Sequence, residues 1–190
     1  MNASLRRFAC LLVLGLVGTA SSPASAEDLQ FVRGLWVWKT SSVLARPAGA
    51  EALKKFCIEK GINEVYISIP KKGEVSNAEL AGLISLLHKS NIRVEALFGS
   101  TDADLPGKPR EQMLNNVYSI VQFNQENRKA RFDGIHLDIE PHQRPENKGE
   151  GNLRFLANLV ETFRAVRAIT EPAKLTLNVD IPNKGNYILD

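Results

Sequence analysis

Cysteine is almost missing from this chain: 190 residues contain only Cys10 and Cys57. Cys10 falls in a leader that the sequence predicts to be removed, so Cys57 would stand alone, which excludes an intrachain disulfide. Excess charge is missing too. Lys and Arg number 24 against 21 Asp and Glu, a formal charge of +3. Loss of residues 1–26 takes away two arginines and no acid, leaving 22 basic against 21 acidic residues, or +1. That balance gives no electrostatic reason to expect nucleic acid or an anionic membrane as partner. After the leader no run approaches the roughly 20 apolar residues of a membrane span. A phosphate-binding glycine turn is also lacking: "VWKTSSVLARP" follows the first strand-like segment without a single glycine. This removes the main signal for a doubly wound nucleotide-binding sheet.

The leader itself reads as a secretory signal peptide. Arg6 and Arg7 precede an apolar run from Phe8 to about Val17, and the small residues Ala24-Ser25-Ala26 offer a cleavage site before Glu27. The expectation is a secreted or periplasmic protein cut after Ala26, with one domain over residues 27–190, long enough for a core of its own. Cys10 does not follow the apolar run, which argues against a lipid-anchored cysteine.

Strand-like and helix-like segments alternate through that domain. Strands are expected at 34–39, 64–69, 93–98, 134–140 and 174–180. Helices are expected at 50–60, stopped by Gly61, at 76–90 behind a Ser76–Glu79 capping box, at 110–127, and around Leu153, Leu156, Val160, Phe163 and Val166. Cys57 falls beside Leu53 and Phe56 on a helical stripe and reads as a buried thiol without a partner. Such repeats mean parallel strands joined by right-handed crossovers, an α/β fold. The expected architecture is a (β/α)8 TIM-type barrel, of which the chain supplies about the first five strands.

Within the strands, side chains two apart share a face. Ile135, Leu137 and Ile139 alternate with His136, Asp138 and Glu140; Leu175, Leu177 and Val179 alternate with Thr176, Asn178 and Asp180. Val65 and Ile67 likewise oppose Tyr66 and Ser68, and Val94, Ala96 and Phe98 oppose Glu95. Buried parallel strands are normally apolar on both faces. A face that turns polar toward the strand's C-terminal end suits a barrel mouth, where barrel active sites lie.

The densest group of charge is "FDGIHLDIEPHQ" at 132–143. Asp138 and Glu140 stand about 6.6 Å apart along one strand face at a rise of ~3.3 Å per residue. Two carboxyls that close cannot both ionise cheaply, so one would keep a proton and serve as a general acid. Glu140, last on the strand before Pro141, is the expected donor, and Asp138, one layer deeper, the group that tunes it. Asp133 is expected to start the strand or cap a neighbour.

"DGIHLDIEP" resembles the fourth-strand signature of chitinase-type, family 18-like glycoside hydrolases, Asp-Gly-x-Asp-x-Asp-x-Glu, with Asp133, Asp138 and Glu140 matching and His136 where that family has aspartate. Together with the later Val179-Asp180-Ile181-Pro182 it is also similar to bacterial barrel proteins that carry a "GIHLDxEP" strand. The resemblance implies a glycosidase-type hydrolase, with Glu140 protonating the glycosidic oxygen and Asp138 assisting the substrate's N-acetyl group. It implies a carbohydrate ligand and no cofactor. Trp36 and Trp38 would then offer stacking platforms, and Tyr66, Glu95, His136, Asn178 and Asp180 would line the sugar site.

Two other readings compete. One is a non-catalytic carbohydrate-binding or remnant barrel, since an arc of five strands leaves an open edge suited to self-association or to a partner that closes the barrel. The other is a metal-dependent hydrolase using His136, Asp138, Glu140 and His142. It ranks behind sugar, because Pro141 breaks the alternation before His142 and the first strand reads Trp-x-Trp.

Overall fold

A computed structural model describes residues 31–147 and 154–181. The chain divides into a unit Met1–Phe31 and a unit Val32–Asp190. The leader, Leu153 and Pro182 lie outside the described residues.

The second unit runs β1 (Gly34–Val37), α1 (Thr40–Leu44), α2 (Gly49–Lys60), β2 (Glu64–Ser68), α3 (Asn77–His88), β3 (Arg93–Ser100), α4 (Lys108–Glu126), β4 (Gly134–Ile139), α5 (Arg154–Thr170) and β5 (Thr176–Val179). Two 3-10 turns, Pro141–Gln143 and Pro145–Asn147, follow β4. The five strands form one sheet in the order β1-β2-β3-β4-β5, all neighbours parallel. A doubly wound sheet would reverse its strand order at a switch point. This order never reverses, so the sheet is five consecutive staves of a (β/α)8 barrel wall, as the alternating pattern led us to expect.

Local signals fall where the sequence puts them. Ser76 accepts the Glu79 N–H, while the Glu79 carboxylate accepts that of Ser76, a full capping box on α3. Gly61 ends α2 at φ 63, a left-handed conformation that a residue without Cβ adopts at little cost. The short helix α1 has too few residues to show a period and was not foreseen.

The core lies between the sheet and its helices. Val65, Ile67, Val94, Ala96, Ile135, Leu137 and Ile139 on the outward strand face have no exposed surface. They meet Leu83, Ile84 and Leu87 of α3, Met113, Val117 and Ile120 of α4, and Leu159 and Val166 of α5 in one cluster. Truncating any one of the leucines or isoleucines among them to alanine would cost roughly 2–5 kcal/mol. Cys57 is fully buried in the same cluster, and burial pushes its thiol upward. Phe56 is 43% exposed, so it lies off the stripe the sequence suggested.

The stripe of α5 differs as well. Phe155, Leu159, Thr162, Val166 and Ile169 face the core, whereas Val160 is 44% exposed. Val160 and Phe163 instead line a groove of about 630 Å3 with Leu175 and with Leu177 and Val179 of β5. The apolar surface of α5 is therefore wider than one packing face: part is covered by the barrel wall, and part borders the last described strand.

Candidate active site

The inner face of the sheet is polar along its whole length, not only at the mouth. At the N-terminal end Arg93 points Nε at Glu64 Oε1 (3.4 Å) and Nη2 at Glu95 Oε1 (3.6 Å). Glu95 has no exposed surface, and its Oε1 accepts hydrogen bonds from Thr176 Oγ1 (2.9 Å) and Asn178 Nδ2 (2.7 Å). Gly134 makes this possible: a Cβ there would lie 2.6 Å from Glu95 Oε1 and 2.0 Å from Thr176 Oγ1. Burial alone would raise both carboxyls. For Glu95 the hydrogen bonds from His136, Asn178 and Thr176 outweigh burial and hold it low. For Glu64 burial and then the Glu95 charge push it up. Of the pair, Glu95 is the one whose charge is favoured and Glu64 the one whose protonated form is favoured.

That charge is handed upward. His136, 4% exposed, sets Nδ1 3.4 Å from Glu95 Oε2 and Nε2 3.0 Å from Asp180 Oδ2. The second contact is at ion-pair distance but out of line for a hydrogen bond. Burial works to lower the imidazole pKa, and the two carboxylates outweigh it, so the net shift is upward. Tyr66 stacks on the imidazole with centroids 3.8 Å apart, and Trp36 meets both rings edge-on at 4.9 and 5.8 Å. The Tyr66 hydroxyl is pushed up to about 12, by burial first and then by Glu64, Glu95 and Asp180. Trp36 Nε1 donates to the same Asp180 oxygen at 3.1 Å. Asp180 is thus held from two sides at the end of β5, with its side chain 34% exposed.

The mouth lies one step higher. Asp138 is half-buried, and its carboxyl is raised by burial, by Glu140 and by Asp180, with His136 and His142 opposing. Asp138, the deeper acid, therefore holds a proton more tightly than a free aspartate does. Glu140 carries a side chain 36% exposed, and His142 Nε2 stands 3.8 Å from its Oε1. The 3-10 turn Pro141–Gln143 folds this histidine back toward the strand it has just left. Period-two reasoning stops at Pro141, so the sequence put His142 with Glu140 only in the metal reading.

The candidate residues thus fall into two tiers. Asp138, Glu140 and Asp180 gather at the C-terminal ends of β4 and β5, with Trp36 and Trp38 44% and 51% exposed beside them. Glu95 and Tyr66 lie beneath, too buried to touch a ligand, and act through His136, Asn178 and Asp180. Arg93 pairs with Glu64 and Glu95, not with the mouth acids. Asp133 starts β4 by accepting the Val94 N–H (2.8 Å) and facing His88 Nε2 (2.9 Å) of α3. Burial would raise it, but His88 and the Val94 N–H prevail and lower it. Among the described residues no three His, Cys, Asp or Glu side chains gather as a metal-ligand set.

Fold and site together define a (β/α)-barrel wall with a carboxyl-lined mouth. No protein-family model matches the chain, so the chitinase-type resemblance rests on residues 133–141 alone. Comparison with curated proteins likewise finds no match. Among solved structures the chain is similar to a D-psicose 3-epimerase from Clostridium cellulolyticum H10 with D-tagatose, at 13% identity and TM-score 0.49, covering 77% of this chain and 51% of that one. It is also similar to a β-arabinopyranosidase at 12% identity and TM-score 0.49, covering 83% of this chain and 23% of that one. A D-psicose 3-epimerase in the presence of D-fructose matches at 12% identity and TM-score 0.49, covering 79% and 53%. The chain spans about half the length of the two epimerases.

Proposed function

We propose that the chain forms the front of an exported glycosidase-type hydrolase whose reaction centre is the mouth above β4 and β5. The observation that carries this reading is the convergence of Asp138, Glu140 and Asp180 on the inner face of two adjacent strand ends, beside two half-exposed tryptophans. Glu140, nearer solvent, gives its proton to the glycosidic oxygen as the C–O bond breaks, with Asp138 one layer deeper orienting it. The positive charge left on the sugar faces Asp180, fixed by Trp36 and His136. Water then adds to the sugar and returns a proton to Glu140. The chitinase-type resemblance of residues 133–141 supports the same donor.

The test is turnover of a panel of activated aryl glycosides by the full chain and its Glu140→Gln variant. Loss of about 100-fold or more in kcat, with an unchanged circular dichroism spectrum, is expected. Undiminished turnover in the variant would remove Glu140 from the chemistry. A second reading, a carbohydrate-binding module without turnover, is favoured by the exposure of Trp36 and Trp38. It would be the better account if oligosaccharides bound saturably to both proteins and neither hydrolysed them. Export is carried by residues 1–26, and N-terminal sequencing of secreted material should begin at Glu27.

A further inference from the structure

Next to the mouth acids, on the side of β3, a cleft of about 540 Å3 opens between the ends of β2 and β3 and α4, and its Gly99 pairs in register with Asp138. Trp38, Ser68, Lys71, Lys72, Gly99 and Asn116 are among its lining residues. The Trp38 indole lies where a side chain on β3 would otherwise stand, since a Cβ at Gly99 would come within 3.1 Å of its Cζ3. The ring is 51% exposed, an aromatic surface with no cover. Lys71 and Lys72 leave β2 behind Pro70, and both are exposed. Neither ammonium is ion-paired among the described residues. The acids nearest in sequence are engaged otherwise: Glu74 accepts the Lys71 backbone N–H (3.3 Å), and Glu79 is turned onto Ser76.

Charge at the mouth is therefore divided, with carboxyls at the ends of β4 and β5 and two adjacent unpaired ammoniums after β2. Two ammoniums on the lining of one cleft make it a positively charged edge that attracts an anion. A neutral sugar would use the tryptophan and leave the lysines idle. We propose that this cleft is a subsite for a carboxylate-bearing sugar, a uronic acid unit of an acidic polysaccharide, with Trp38 stacking on its ring and Lys71 and Lys72 receiving its carboxylate. The inference rests on the glycoside reading above and names its substrate class. The division of charge also orients the chain: the mouth acids repel a carboxylate, so the anionic edge of the sugar turns to β2 and the bond to be broken to β4.

Isothermal titration of the full chain with an oligogalacturonate and with the same oligomer after carboxyl reduction to its neutral form provides the test. The acidic oligomer should bind about ten-fold tighter, equivalent to 1.4 kcal/mol. High salt should erase that preference, and so should the Lys71→Ala/Lys72→Ala double variant, with binding of the neutral oligomer unchanged. Trp38→Ala should weaken both. Equal binding of the two oligomers, or a preference that survives loss of both lysines, overturns the subsite but leaves the glycoside reading standing if Glu140→Gln still abolishes hydrolysis. A lysine-dependent preference combined with full turnover by Glu140→Gln has the reverse meaning. Binding of neither oligomer also overturns the subsite, and the glycoside reading then stands or falls on the Glu140→Gln comparison.

Discussion

At the residue scale the inner face behaves as one column of hydrogen bonds and ion pairs from Arg93 to Asp180, and His136 is its link. Its imidazole is raised from an ordinary value of 6.5, burial being outweighed by Glu95 and Asp180. A group raised on folding contributes stability that is complete below its unfolded value and is lost as pH rises through the folded one. The margin in urea midpoint of the native chain over His136→Gln should therefore be largest near pH 6 and shrink toward pH 9. A margin that stays constant over that range would mean that folding leaves the imidazole pKa unchanged. Alternation in the sequence placed His136, Asp138 and Glu140 on the inner face correctly. It could not tell that Glu95 is sealed while Asp138 is half-open, because the partners that make Glu95 burial tolerable, Thr176 and Asn178, lie more than 80 residues away.

Elements were legible in proportion to their periodicity. The capping box of α3 and the glycine stop of α2 are local chemistry, and both ends were found. The two polar loops were not, because their order comes from contacts between them. Asp104, fully buried, accepts Arg144 Nη2 at 2.9 Å across the gap from the β3–α4 loop to the loop after β4. Arg110 adds bonds to the Asp104 carbonyl (2.8 Å), the Asn158 carbonyl (3.0 Å) and Thr162 Oγ1 (2.8 Å), drawing α5 into the same clamp. Nothing in "TDADLPG" marks which aspartate goes inside. Removing one member of such a pair strands the other, so Arg144→Met should lower unfolding free energy by about 3–5 kcal/mol in chemical denaturation. A loss below about 1 kcal/mol would mean that water reaches Asp104 and that the two loops move independently.

For the whole unit, the sheet order sets a gradient of protection. β3 and β4 are paired on both sides, whereas β1 and β5 each have one strand neighbour among the described residues. Hydrogen exchange followed by mass spectrometry should find the amides of Val94–Phe98 and Ile135–Leu137 slowest, and those of Leu35–Val37 and Leu177–Val179 markedly faster. Uniform protection across all five strands would show that further pairing covers the two outer edges. The barrel-type order followed from the repeating strand-helix pattern, but the apolar groove beside β5 did not, since Val160 and Phe163 read equally well as core. One further property follows from the placement of Trp36 and Trp38. They are the only tryptophans in the chain, and both flank the mouth. Emission excited at the red edge of protein absorbance is consequently a local signal: Trp36 reports through its bond to Asp180 and its contact with His136, and Trp38 through the Gly99 cleft. With Trp38→Phe separating the two, the protein carries its own optical probe for each side of the site, and no label is needed.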